Sequence, residues 1–268
     1  MEFFQTCNGI PVHIFDSRKG SKIFLFLHGY LETLYVWDDL VKCLPKDIRV
    51  ILLDIPGHGL SGTDKEINSM GFCADTLKSL LGKLGINEKI TVIGHSMGGY
   101  IALEALKQYP ELFSALILMH SAPFADSEEK KEERDREIAL IRQNKLLQIV
   151  KLAIPKMFAS ANLSKMEDKI IEIAETAEIH DREGIIASIK GLKERSDNSK
   201  TLASSPVPVM LFHGRYDNYI PNDRLDDMAK MFPSMQICVM ENSGHACFIE
   251  EPELTAENLI GFCGIKEQ

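Results

Sequence analysis

The sequence predicts an α/β protein: one mostly parallel sheet, interrupted by a helical insertion. Three observations carry this. Nearly continuous apolar runs, at 22–27 and 48–53 for example, suit strands buried on both faces. Segments of helical period separate those runs. The strand pattern stops near residue 124, helical periodicity fills the chain to about 200, and strands return at 207. Alternating strands and helices imply a parallel sheet with right-handed crossovers.

Taken in order, the runs at 2–7 and 10–15 flank Asn8-Gly9, a strong signal for a two-residue hairpin turn. Strands follow at 22–27 and 48–53. Residues 68–84 place Met70, Ala74, Leu77, Leu80, Leu81 and Leu84 at helical spacing. A strand at 89–94 leads into a helix at 97–108 that Pro110 closes, and a further strand spans 114–119. Within the insertion the helical pattern runs from 138 to about 200 with only Pro155 breaking it. Strands at 207–213 and 235–240 and a closing helix at 251–263 complete the chain. The expected division is a core of 1–123 and 201–268, with 124–200 as a helical cap.

Composition narrows the function classes. Of 268 residues, 45% are apolar and 26% charged, the balance of a globular protein that buries its own core. The net charge of -9 and the lack of a basic stripe argue against nucleic acid as a partner. No apolar run is long enough to span a membrane, and Met1-Glu2-Phe3-Phe4-Gln5 lacks the basic start and apolar run of a signal peptide. The six cysteines form no C-x-x-C pair and no zinc spacing, as expected of reduced thiols in a cytoplasmic protein. With no G-x-G-x-x-G or G-x-x-x-x-G-K motif, no nucleotide, flavin or other cofactor is expected, and no metal.

The chemistry starts at Gly94-His95-Ser96-Met97-Gly98. This G-x-S-x-G follows an apolar strand and opens a helix, the context of a nucleophile elbow. The turn is so tight that the residues two before and two after the serine must lack a Cβ, and Gly94 and Gly98 do. A serine hydroxyl needs a base. Of eight histidines, His245 alone sits in a loop between the last strand-like run and the last helix. His95 adjoins the serine but is expected to point elsewhere around the turn. His58 lies in a loop and His180 in the insertion. An acid must orient the base, and Asp217, just past the strand 207–213, fits the order Ser, Asp, His. Asp126, after the strand 114–119, is the rival for that role, whereas Asp223 reads as a helix cap. An oxyanion hole needs two backbone donors. They are expected from Met97, next to the serine, and from Tyr30, in the loop after the strand 22–27.

These motifs together resemble the α/β-hydrolase superfamily. The matching elements are His28-Gly29, Asp54-x-Pro56-Gly57-His58-Gly59-x-Ser61, Gly94 to Gly99, His213-Gly214-x-x-Asp217 and Ser243-Gly244-His245, over about residues 22 to 250. The resemblance implies an eight-stranded, mostly parallel sheet with helices on both faces and a helical cap insertion. It implies the triad Ser96, Asp217 and His245 and an acyl-enzyme mechanism. Within the superfamily the arrangement is similar to small capped carboxylesterases, pimeloyl-carrier-protein methyl ester esterases among them, and to carbon–carbon bond hydrolases. Dehalogenases of the family carry aspartate in place of Ser96.

The insertion opens with seven acids and four bases between Asp126 and Glu137, read as a solvated face. Apolar residues from Ile138 to Phe158 follow and are expected to roof the pocket, with Met157 and Phe158 as acyl-pocket residues. An apolar roof favours small apolar acyl or aryl esters. Thioesters, lactones or carbon–carbon bonds are alternatives for the same triad. A ligand receptor on the same fold, with little turnover, is the alternative outside enzymes.

Overall fold

The computed structural model describes residues 1–63, 66–178 and 180–265. The expected insertion and the second core segment include positions 179 and 266–268, which lie outside the described residues. β1 (Glu2–Cys7) and β2 (Ile10–Asp16) form the predicted hairpin, with Asn8 and Gly9 at φ 49° and 88°. Positive φ at both turn residues is what a type I′ hairpin requires. β3 (Lys22–Leu27), β4 (Ile48–Leu53), β5 (Ile90–His95), β6 (Phe113–Met119), β7 (Val209–Gly214) and β8 (Gln236–Met240) complete one eight-stranded sheet. Its order is β1-β2-β4-β3-β5-β6-β7-β8. Only the β1–β2 and β2–β4 pairings are antiparallel.

Successive side chains point to opposite faces of a strand, so β3 sends Leu25 and Leu27 into one core and Phe24 and Phe26 into another. On the first face lie α2 (Met70–Lys83), α3 (Met97–Gln108) and α9 (Asn222–Met231). On the second lie α1 (Asp38–Lys42), α10 (Cys247–Glu250) and α11 (Pro252–Phe262), around the buried Trp37. Asp223 sits inside the first turn of α9, not at its cap, which is Pro221. All six cysteines are free. Among the described residues no helix is long and apolar enough to cross a membrane.

Between β6 and β7 the chain forms α4 (Glu128–Arg142), α5 (Leu146–Ala153), α6 (Glu167–Glu178), α7 (Arg182–Lys193) and the short α8 (Ser199–Ala203). Continuous periodicity hid these breaks. Asn144 takes a left-handed φ of 61° after α4, a conformation Asn tolerates better than most residues. Two 3-10 turns, Pro155–Met157 and Ser160–Asn162, separate α5 from α6. Asp181 caps α7 by accepting from the Gly184 N–H at 2.9 Å. Ile138, Ile141, Val150, Ile173 and Ile185 join the second core. Asn68 fastens α7 to the sheet domain: its amide donates to the Pro56 carbonyl (3.0 Å) and Ser188 Oγ (3.1 Å), and its N–H to the Ala187 carbonyl (3.0 Å).

Where β5 passes into α3, two backbones nearly touch. A Cβ on Gly94 would lie 2.5 Å from the Gly98 carbonyl oxygen, and one on Gly98 would overlap the Leu27 and His28 carbonyls. On an exposed helix Gly→Ala stabilises. Here Gly98→Ala is expected to destabilise by about 1–3 kcal/mol, the cost of overpacking. Urea denaturation measures the sign, and a stabilised variant contradicts the close approach.

Candidate active site

Ser96 is the single residue between β5 and α3, and its backbone is strained at φ 46°, ψ -109°. Non-glycine residues hold such angles only where the surroundings enforce them. The enforcement is visible. The Ser96 N–H donates to the Met119 carbonyl on β6 (2.9 Å), while its own carbonyl accepts from Gly99 N–H (3.0 Å) and Ser121 Oγ (2.9 Å). The side chain is half-exposed at the C-terminal edge of the sheet.

Asp217 follows β7. Its Oδ1 accepts from the N–H groups of Tyr219 (2.8 Å) and Ile220 (2.9 Å). Its Oδ2 faces Nδ1 of His245 at 2.8 Å and Nδ1 of His120 at 3.2 Å. Burial alone would raise this carboxyl. The charge of His245 and the two imidazole hydrogen bonds outweigh burial and hold it well below the usual carboxylate range. These three ligand-type atoms lie within 4.8 Å of one another, the one such His/Cys/Asp/Glu group among the described residues. Hydrogen bonding already engages each of them. Asp126, the rival acid, is instead held by Arg134 (3.0 Å) and Arg195 (2.6 Å).

His245 follows β8, and its backbone is fixed from two sides. Its N–H donates to the Met157 carbonyl at 2.6 Å, and its own carbonyl accepts from His95 Nε2 at 2.8 Å. The other nitrogen of His95 meets Glu32 Oε2 at 3.0 Å, and that oxygen also accepts the Gly29 N–H at 2.5 Å. Both side chains are buried. His95 thus lies between two oxygen atoms, the Glu32 carboxyl on one side and the His245 carbonyl on the other. Burial pushes the Glu32 carboxyl up, but the His95 charge, its hydrogen bond and the Gly29 N–H bring it below its ordinary value. The N–H groups of Tyr30 and Met97 have no backbone or side-chain acceptor among the described residues.

Ser96, Met97, Tyr30, His245 and Met157 all line one cavity of about 760 Å³. Phe158 does not: it is buried in the second core, because the chain turns inward after the 3-10 turn at Met157. His58 is also away from the cavity wall, between the rings of His28 and His180, tilted to the first and edge-on to the second at 5.4 Å from each. The expected solvated face is only partly that, since Asp126, Lys130 and Arg134 reach the cavity beside Arg195. The roof residues Ile138, Ile141 and Val150 are core, leaving Phe124, Ala125, Ala153, Ile154, Met157 and Leu192 as the apolar lining from the insertion.

The sequence pattern of the alpha/beta hydrolase fold family matches residues 22–252. The chain belongs to that family. It is 27% identical over 251 residues to pimeloyl-[acyl-carrier protein] methyl ester esterase of Nitrosomonas europaea, covering 90% of this chain and 95% of that relative. It is 25% identical over 273 residues to monoacylglycerol lipase ABHD6 of Bos taurus, covering 97% and 80%. Among solved structures, a thermophilic esterase from Thermogutta terrifontis superposes with a TM-score of 0.92 at 26% identity, over 98% of each chain. This member of the family is a hydrolase.

Three residues that hold the hydrolase site together escaped the sequence reading. Glu32 and His120 sit in loops after β3 and β6 at spacings no motif marks. His95 was visible in the motif, but its direction was not. Glu32→Gln keeps the shape and removes the charge. It is expected to cost about 1.5–3 kcal/mol at neutral pH, the range for hydrogen bonds to charged groups. Because folding depresses the Glu32 carboxyl, its contribution is full above the ordinary value of 4.5 and is lost as pH falls through the lower folded value. Urea midpoints of both proteins across pH should therefore converge on the acid side, and a pH-independent difference contradicts a buried Glu32 carboxylate.

Proposed function

We propose that the protein is a serine carboxylesterase in which Ser96 is the nucleophile, His245 the base and Asp217 the acid. The observation that carries the reading is the 2.8 Å contact of His245 Nδ1 with the buried Asp217 carboxylate, beside a strained Ser96 that shares one cavity with His245. Ser96 Oγ attacks the ester carbonyl while His245 Nε2 takes its proton. The N–H groups of Met97 and Tyr30 hold the oxyanion, and Met97 adds the positive end of α3. His245 then protonates the leaving alcohol, and water, activated the same way, releases the acid. Segment 124–200 serves as the cap. A small apolar acyl or aryl group packs against Ala153, Ile154, Met157 and Leu192.

A fluorophosphonate is expected to label the protein once, at Ser96. Labelling that survives Ser96→Ala excludes this nucleophile. His245→Ala and Asp217→Asn should each lower kcat by roughly 10⁴-fold with folding intact. Only a neutral imidazole accepts the serine proton, so kcat/KM should fall on the acid side of the histidine range. A flat profile from about pH 5 to 8 contradicts the base.

Met157→Trp, which narrows the cavity and keeps the backbone carbonyl that holds the His245 N–H, is expected to raise KM for long acyl esters more than for acetate. A panel of graded chain lengths measures it. Equal losses at every length mean that Met157 packs and does not select.

A further inference from the structure

The proposed mechanism uses two of the three side chains gathered at Asp217 and leaves His120 unexplained. His120 is the residue after β6 and is fully buried. It holds a left-handed φ of 49°, and its N–H is fixed to the Phe212 carbonyl at 2.9 Å. That conformation turns its ring beneath the sheet edge, with ring centroids 5.3 Å from His245 and 5.9 Å from His95.

The ring's contacts determine which nitrogen carries the hydrogen. The backbone N–H of Cys247 points at Nε2 from 3.1 Å. A backbone N–H only donates, so Nε2 is an acceptor and a neutral ring carries its hydrogen on Nδ1. Nδ1 lies 3.2 Å from Asp217 Oδ2, and the Gly214 N–H also points at it from 3.3 Å; a hydrogen on Nδ1 satisfies the ionised oxygen and opposes only that longer contact, whereas one on Nε2 would oppose the Cys247 N–H and set the Nδ1 lone pair against Oδ2. Burial drives this imidazole down to about 3 against the pull of Asp217. The geometry requires the same, since an imidazolium would set Nε2–H against the Cys247 N–H.

We infer that His120 is a positioning residue: it donates a second imidazole N–H to Asp217 Oδ2 and so limits how much of that charge His245 receives. This rests on the assignment of His245 as base and Asp217 as acid. The other titratable groups near this trio are His95 with its partner Glu32, His213 with Arg215 behind it, the buried Cys247 thiol, and Tyr219, whose ring lies 4.9 Å from that of His245. None of them donates to Oδ2 among the described contacts. Without His120 the whole of Oδ2 faces His245, its imidazolium is stabilised, and the acid limb of kcat/KM moves to higher pH.

The test compares His120→Ala with His120→Asn. Asparagine tolerates a left-handed φ and can place Nδ2 where Nδ1 stood, while both variants remove the acceptor from Cys247. His120→Ala is expected to raise the His245 titration midpoint by about half to one pH unit. NMR of ¹⁵N-histidine-labelled protein reads that midpoint, and kcat/KM against pH on p-nitrophenyl acetate should follow it. His120→Asn should return both towards the unsubstituted protein. Equal shifts in the two variants, or none in either, overturn the proposal in favour of packing. In the unsubstituted protein the His120 nitrogens should report the Nδ1–H tautomer. The Nε2–H tautomer overturns the proposal even if His120→Ala fails to fold. The NMR midpoint needs no turnover, so it stands apart from failure of the esterase reading.

Discussion

A buried contact, Glu32 with His95, ties together the parts of the site that come from distant sequence. One oxygen of Glu32 holds both the Gly29 amide and His95, and the far nitrogen of His95 holds the carbonyl of His245. The loop that offers the Tyr30 amide, the turn that presents Ser96 and the loop that carries His245 therefore share one electrostatic anchor. Burying a carboxylate costs desolvation, and such a contact is favourable only when the remaining hydrogen-bonding groups are also engaged. Three of the four relevant atoms are: both nitrogens of His95 and Oε2 of Glu32. Oε1 of Glu32 is buried and has no hydrogen-bond partner among the described residues. Removing either side chain would leave the other's buried polar atoms without this partner, which makes the contact a stronger constraint on geometry than on net stability.

The sheet supplies the framework on which this anchor acts. In a parallel sheet the C-terminal ends of successive strands lie along one edge. β5, β6, β7 and β8 are neighbours in the order, and the residues just past them are Ser96, His120, Asp217 and His245. The strain at Ser96 is tolerable because it is met by contacts that cross strands: Met119 from β6 receives its N–H, and Ser121 caps its carbonyl. The segment between β6 and β7 adds a constraint of its own. Its Met157 carbonyl takes the His245 N–H, and Glu250 takes the amides of Ala159 and Gly244. The insertion thus holds the histidine loop through backbone contacts and contributes none of the three proposed reacting side chains.

How much of this was legible follows from which forces write a pattern into sequence. Strands buried on both faces leave uninterrupted apolar runs, so β3 and β4 match their predicted ends, and the others agree within two residues. The tight turn leaves its glycines. Helix breaks inside the insertion depend on single residues, the φ of Asn144 and the cap at Asp181, and these do not disturb an apolar period. Residues 34–42 form a 3-10 turn and the short α1, too brief for any period to register. Glu32, His120 and the direction of His95 were illegible for a different reason. Their partners lie 63, 97 and 150 positions away, so only the folded topology brings them into contact.

The charged start of the insertion shows where a composition argument runs out. Seven acids and four bases between Asp126 and Glu137 read as a solvated face, and most of them are exposed. Asp126 is not: it is gripped by Arg134, two turns along α4, and by Arg195, from beyond α7. Arg195 in turn lies over the Tyr100 ring at 4.2 Å, four residues past Ser96. Glu137 comes from the opposite side, accepting the Tyr30 hydroxyl at 2.8 Å, and burial pushes its carboxyl up. So the same run that solvates the outer face of α4 sends Asp126 and Arg134 to an ion-pair network, Lys130 to the cavity wall and Glu137 to the loop of the proposed oxyanion donor. A helix that turns its charges both ways cannot lift from the core without exposing Asp126, Arg134 and Tyr30 together. The first helix of the insertion is therefore tied to the sheet domain by the Tyr30–Glu137 hydrogen bond and to the rest of the insertion by the Asp126 ion pairs, beside the contacts of its apolar face.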